Sequence, residues 1–426
     1  MARAKKETAL TPEERLRAAL VPDWEWPYKL PENWCWVYAP HIFDIEYGKG
    51  LPTKQLSDTG YPVFGANGQI GFYSEYMYKE PQALMSCRGA YSGTMNKSLP
   101  YSYVTSNSLI ISSPRGLMGT DCIYYLFSAL NVSELISGTA QPQVTVQAFD
   151  GFPIPLSPLA EQQRIVDRIE SLFAKLDEAK EKAQAVVDSF ETRKAAILYK
   201  AFTGELTAKW REEHGVSIDN WKTTRFDSVA AIRSNLVDPA EYQSFPHIAP
   251  DNIEKKTGVL LEYHTIAEDG VTSGKHRFYS GQILYSKIRP YLSKAVVVDF
   301  DGLCSADMYP IEAYQNARCL WYYMLSDEFL LQASTAGSRS VLPKINQKEL
   351  SALTVHLPTN DREQEEIARI LDELFDKEQQ TKEAAEIVLD QIELMKKSIL
   401  ARAFRGELGT NDPSEESAVE LLKQII

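Results

Sequence analysis

The chain is poor in cysteine and histidine and has no long apolar run. Its five cysteines, Cys35, Cys87, Cys122, Cys304 and Cys319, are scattered and odd in number, with no CxxC pair. That pattern argues against a disulfide framework and a thiolate zinc site, and it suits a reducing, cytoplasmic setting. The six histidines are equally dispersed, so no metal site is expected. No stretch of about 18 apolar residues occurs, so neither a transmembrane helix nor a membrane partner is expected. The opening residues, MARAKKETALTPEERL, lack the apolar core of a secretory signal. Signatures of bond chemistry are missing as well. There is no NPPY- or DPPY-type tetrapeptide of an amino-methyltransferase, and no GxGxxG, GxxxxGK[ST], HExxH or GxSxG. Glu254-Lys255-Lys256, with Asp238 upstream, fits the letters of a metal-dependent nuclease, but Pro239 and Gly258 make the stretch read as loops. No catalytic residue and no cofactor of its own are expected.

What the chain does have is an internal repeat. The segment from Ala160 to Leu206, ending in AFTGEL, returns 202 residues later and ends in AFRGEL, Ala403 to Leu408. Glu161-Gln162 matches Glu363-Gln364, Leu172-Phe173 matches Leu374-Phe375, and Ile197-Leu198 matches Ile399-Leu400. A period this long is not that of a solenoid, whose units run roughly 20–50 residues. It is a large unit made twice, a globular segment followed by a long helix.

Spacing predicts the helices. Ile165, Ile169, Leu172, Leu176, Ala179, Ala183, Val186, Phe190 and Ile197 follow the a/d pattern of a coiled coil, with charges on the other faces. The second copy keeps the seam at Ile367, Leu371, Leu374, Ala385, Val388, Ile392, Met395 and Ile399, interrupted where Glu378 and Thr381 fall on it. Phe202 and Phe404 close the two copies. Two such helices in one chain can pair antiparallel. Thr11, Pro12 and Glu14 predict a short capped helix over 11–20, and the tail after Pro413 looks similar.

The segments before each helix are punctuated by glycine and rich in β-prone residues, which predicts short strands with tight turns. In the first, Cys122 to Leu135 carries a helical pattern. Asn33-Trp34 returns as Asn220-Trp221, Tyr61-Pro62 as Phe245-Pro246, and Tyr91 as Tyr291; elsewhere the two segments diverge.

The net charge of −13 is unevenly spread and lies mostly on the second helix and tail. Locally the sign reverses. Gly270 to Val298 is free of acidic residues yet holds Lys275, Arg277, Lys287, Arg289, Lys294 and the interleaved Tyr291. Pro81 to Thr120 is likewise free of acids and holds Arg88, Tyr91, Lys97 and Arg115. Phosphate binding needs fixed cations, and base reading needs Arg, Lys, Asn or Gln within reach of groove edges. Matched positions in both segments therefore favour duplex DNA over ordinary solvated loops. A further pair of loops adds Gln141 and Gln143 in the first segment and Arg339 and Lys344 in the second.

With the repeat, the variable segments and the helix endings in view, the chain resembles the specificity subunit of type I restriction–modification enzymes. The resemblance is carried by PLSPLAEQQRIVDRIESLF at 155–173, KAFTGELTAKWR at 200–211, REQEEIARILDELF at 362–375 and ARAFRGEL at 401–408. It implies an α+β fold in which two β-rich α/β target recognition domains alternate with two long helices that pair as an antiparallel coiled coil, a pseudo-twofold internal repeat. The expected division is an N-terminal helical extension (1–21), a first recognition domain (22–157), a first helix repeat (158–214), a second recognition domain (215–357), and a second helix repeat with tail (358–426). Each recognition domain would read one half of a split DNA target, and the paired helices would serve as ruler and docking surface. The implied partners are double-stranded DNA and two methyltransferase subunits, which carry S-adenosylmethionine and methylate adenine N6. Nuclease subunits using ATP and Mg join them where a system has them. The competing reading is a coiled-coil scaffold whose β-rich modules bind protein or glycan; it predicts no affinity for duplex DNA.

Overall fold

The computed structural model describes residues 11–336 and 343–424. The chain divides into two compact units, one formed by Met1–Lys182 with Ile387–Ile426 and the other by Ala183–Glu386. Each unit takes its globular segment, part of one long helix and the opposite part of the other.

In the first unit, strand Cys35–Tyr38 pairs antiparallel with Pro153–Leu156, closing the ends of the globular segment together. A four-stranded sheet runs in the order Asp44–Tyr47, Ser108–Ser112, Ala83–Ser86, Met95–Lys97. A three-stranded sheet places Tyr61–Gly65 between Gly68–Tyr73 and Tyr103–Val104, the latter pair parallel. The alternation of Leu109 and Ile111 with Ile110 sends side chains to two different clusters on either side of the sheet. Helix Thr120–Ala129 packs Cys122, Ile123, Leu126 and Phe127 into the larger core. The helical pattern expected through Leu135 ends at Ala129, and a separate turn, Ser133–Leu135, follows. Helix Pro12–Ala19 has the expected Thr11/Glu14 capping box. It shares the core with the tail helix Ala418–Lys423 through buried Ala19, Ala418 and Leu422.

The second unit repeats this plan. Trp221–Arg225 pairs with Thr354–Pro358. The four-stranded sheet is Ala230–Ile232, Met308–Ala313, Ile283–Ser286, Ala295–Val297, and helix Ala317–Met324 packs on it. A five-stranded sheet again contains one parallel pair, Pro246–Ile248 with Gly302–Cys304. His247 and Ile248 there stand where Val63 and Phe64 stand in the first unit, against Leu303 and Cys304 in place of Tyr103 and Val104.

Antiparallel helix pairing is seen within each unit. In the first, Lys180 binds Glu393 at 2.6 Å and Lys396 binds Asp177, one index rising as the other falls. In the second, Arg193 binds Glu378 at 2.7 Å, so the acidic residue that interrupts the predicted seam has a cation facing it. Ile165, Ile169, Ala183, Phe190, Ile367, Leu371, Ala385 and Ile392 are buried, while Leu172, Leu176, Leu374, Ile197 and Ile399 are half-buried. Phe202 and Phe404 are buried in their units. Two predicted seam positions leave the stripe: Val388 is 39% and Met395 44% exposed. A straight helix drifts by about 20° per heptad against a strict seven-residue repeat, which carries late positions off the contact line. The two helices also differ. The second is continuous over Asp361–Ala403, whereas the first breaks into Leu159–Asp188 and Phe190–Phe202. At the break the Ser189 hydroxyl donates at 2.6 Å to Ala185 O, which also accepts from the Ser189 N–H at 3.1 Å, and Arg193 donates to Val186 O at 3.2 Å, so side chains add hydrogen bonds to carbonyls one turn back.

Candidate nucleic-acid interface

The strand Ala83–Ser86 of the first unit runs into Cys87-Arg88-Gly89, where three backbone hydrogen bonds form a cradle. Cys87 N–H donates to Asn107 O at 3.0 Å, Val144 N–H donates to Cys87 O at 3.1 Å, and Gly89 N–H donates to Pro142 O at 2.9 Å. The second unit builds the same frame after strand Ile283–Ser286. Lys287 N–H donates to Asp307 O at 3.0 Å, Ile345 N–H donates to Lys287 O at 2.9 Å, and Arg289 N–H donates to Pro343 O at 2.8 Å. Each cradle continues into a short turn, Gly89–Tyr91 in one and Pro290–Leu292 in the other. The turn is entered and left in the left-handed region in both: φ is +78° at Gly89 and +87° at Gly93, +48° at Arg289 and +47° at Ser293. Glycine adopts that conformation freely, whereas Arg289 and Ser293 adopt it against the steric preference of L-residues. Strain of this kind at a non-glycine residue points to function.

The frame carries different side chains in the two units. Where the first has Cys87, Arg88, Gly89, Asn107 and Gln143, the second has Lys287, Ile288, Arg289, Asp307 and Lys344. Tyr91 and Tyr291 are common to both and are 49% and 47% exposed. Arg88 and Arg289 are exposed, and neither side chain forms a hydrogen bond or ion pair with a described residue. Gln141 and Gln143 are exposed beside Arg88, which bridges to Gln143 through the backbone. In the second unit Lys287 donates to Ala306 O at 2.5 Å and lies 3.8 Å from Asp307, whose carboxylate also binds Lys344 at 3.2 Å.

Other expected contact residues are held elsewhere. Lys275 is buried and donates to Ser273 O at 2.8 Å and Ser273 Oγ at 2.7 Å; burial lowers its pKa. Lys294 is largely buried and donates to Pro250 O at 2.7 Å. Both ammonium groups are spent inside the fold, a correction to the reading of acid-free segments as uniformly available. Lys97 binds Asp121 at 2.7 Å. Arg277 lies among three rings, its guanidinium 4.9 Å from Tyr279, 5.4 Å from Tyr242 and 5.9 Å from Phe245. Of Arg115 only the backbone, in the turn Pro114–Gly116, is described, and Arg339 lies outside the described residues. Asn107 and Asp307 escaped the sequence reading. The constant 200-residue offset that links Tyr91 to Tyr291 would have paired them.

The nuclease letters fall apart. Glu254-Lys255-Lys256 lies in a turn with Lys256 at φ +63°, and Asp238 caps Ala240 N–H at 3.0 Å. Among the described residues no group of three His, Cys, Asp or Glu could hold a metal ion, and no helix is long and apolar enough to cross a membrane.

A family model described as "Type I restriction modification DNA specificity domain" matches residues 31–187 and again 218–388. The specificity subunit of the type I restriction enzyme EcoDI from Escherichia coli is 34% identical over 433 residues, spanning 93% of this chain and 95% of that one. The EcoKI specificity subunit of Escherichia coli K12 is 24% identical over 463 residues, spanning 93% and 96%. Among solved structures, the HsdS subunit from Thermoanaerobacter tengcongensis superposes with a TM-score of 0.56 at 19% identity, over 90% of this chain and 99% of that one. A chain from a study of complex assembly and conformational transition of the type I R-M system superposes with a TM-score of 0.66 at 19% identity, over 89% and 100%.

Proposed function

This chain belongs to the type I restriction–modification DNA specificity family, whose domain it carries twice, and we propose that each copy reads one half of a bipartite duplex DNA target. The observation that carries this reading is the cradle built twice with the same backbone bonds and different side chains. A shared frame with divergent functional groups is what two half-sites of different sequence require. Arg88 with Gln141 and Gln143 serves one half-site, and Arg289 with Lys287 and Lys344 the other. Arg, Lys and Gln are the side chains that reach donor and acceptor patterns in the major groove. Tyr91 and Tyr291 add an exposed ring at the same place in each.

The chain works in an assembly with other restriction–modification subunits and DNA. We infer two methyltransferase subunits as its partners. They hold S-adenosylmethionine and transfer methyl to adenine N6, and nuclease subunits bring ATP and Mg where the system has them. Exposed Ile387 and Leu394 on the second long helix offer apolar surface for such docking. Coexpression with the methyltransferase subunit, followed by mass measurement and DNA protection, tests the reading. A two-to-one complex protecting a bipartite site is expected. A one-to-one limit, or no affinity for duplex DNA, would overturn it in favour of a protein- or glycan-binding scaffold.

A further inference from the structure

The second cradle contains a group that does not suit a DNA-facing surface. Asp307 places a carboxylate between Lys287 and Lys344, where it repels phosphate. Its Oδ1 accepts from Lys344 at 3.2 Å, and Oδ2 has no hydrogen-bond partner among the described residues. The side chain is two-fifths exposed. At the equivalent place the first unit has Asn107. The equivalence rests on three backbone relations. Asn107 O and Asp307 O accept from Cys87 and Lys287 at 3.0 Å each. Two residues earlier, Thr105 N–H donates to Phe64 O and Ser305 N–H to Ile248 O, both at 2.8 Å. Strands Ser108–Ser112 and Met308–Ala313 then follow.

From this geometry, and resting on the DNA-reading function proposed above, we propose that position 107/307 is a specificity-determining pair. Asp307 with Lys287 and Lys344 takes a G·C pair, and Asn107 with Gln143 takes an A·T pair. The chemistry follows from the groove edges. Guanine presents the O6 and N7 acceptors that lysine satisfies, while cytosine presents the N4 donor that a carboxylate accepts. Lysines beside a carboxylate therefore complement both edges of one G·C pair. The first unit offers amides at both places, Asn107 and Gln143. An amide both donates and accepts, as adenine N7 and N6–H2 require. A carboxylate costs sequence-neutral affinity for a polyanion, so its value on this face lies in discrimination.

The test is methylation of a library of randomised sites by reconstituted complexes of the wild type, Asp307→Asn and Asn107→Asp. Asp307→Asn should lower preference by about tenfold or more at one G·C position of the half-site read by the second unit, leaving the other half-site unchanged. Asn107→Asp should do the same at one A·T position of the first unit's half-site. Both substitutions are nearly isosteric and leave the cradle's backbone bonds in place, and thermal unfolding checks that the fold persists. If Asp307 only holds Lys287 and Lys344 in position, Asp307→Asn will change affinity for all sequences alike and keep the base preference, which overturns the proposal. A changed position that is A·T in the wild-type site overturns it too. A wild-type complex with no bipartite preference at all would instead overturn the DNA-reading function on which the proposal rests.

Discussion

Trp221 donates its indole N–H to Glu363 Oε1 at 2.9 Å, and both side chains are buried. The first unit repeats the pair 202 residues away in the helix numbering, where Trp34 donates to Glu161 Oε2 at 2.7 Å. The bond joins the entry of each globular segment to the start of the helix that follows it, and it explains two sequence anchors at once. The donors around the two carboxylates differ. Glu363 also accepts from Arg211 at 2.7 Å, Thr207 at 2.8 Å and Asn220 at 3.0 Å. Glu161 accepts from the neutral tail residues Asn411 at 2.9 Å and Thr410 at 3.1 Å.

Arg211→Ala should destabilise the second unit by about 3 kcal/mol or more, because it leaves the Glu363 carboxylate buried without its cation. Glu363 is 0% and Arg211 11% exposed, so solvent cannot replace the lost partner. Urea unfolding reads the effect, and a loss below about 1 kcal/mol would mean that the neutral donors suffice.

Acid should weaken the same anchor. Burial opposes ionisation of Glu363, but hydrogen bonds from Arg211, Asn220, Thr207 and Trp221 outweigh it and hold the carboxyl below its ordinary value of 4.5. The folded state then binds fewer protons than the unfolded one. The stabilisation is complete above the ordinary value and is lost as pH falls from there through the lowered one. Glu363→Gln should flatten the pH dependence of unfolding in that acid window. An unchanged slope would assign it to other carboxylates.

Arg289→Gly should trade function for stability. The substitution installs the residue that the first unit carries at that place and relieves a left-handed φ of +48°. Relief of the steric cost is worth about 1 kcal/mol, reduced by glycine's greater unfolded-state entropy. Thermal unfolding should therefore show a fold no less stable than wild type, while selectivity at the second half-site falls. A clear loss of stability would show that the Arg289 side chain supports the turn.

Lys294→Ala should act on folding rather than on DNA. Its ammonium donates to Pro250 O at 2.7 Å and is largely enclosed, so its removal should lower stability and leave the salt dependence of DNA binding unchanged. A salt slope reduced by about one would make it a phosphate contact instead.

The duplication, the long helices and the β-rich segments were legible because repetition and the 3.5-residue period survive in the letters. The helix break at Ser189 was not, since it depends on Arg193 and Ser189 reaching carbonyls one turn back. The candidate site was legible in part. Absence of acids marked the loops that carry the cradles, but it could not separate exposed Arg88 and Arg289 from buried Lys275 and largely enclosed Lys294, whose ammonium groups bind carbonyls within the fold. It also hid Asp307, because a search for uninterrupted positive charge stops short of the carboxylate that lies among the lysines in three dimensions.

The proposed function has the two cradles read different halves of one DNA target. Its most direct measurement is methylation of a randomised-site library by complexes carrying Arg88→Ala or Arg289→Ala. Each loss of a base contact should cost about 1–3 kcal/mol and relax one position. Arg289→Ala should relax only the half-site assigned to the second unit, and Arg88→Ala only the other. Both variants relaxing the same half-site, or neither altering base preference, would contradict the account.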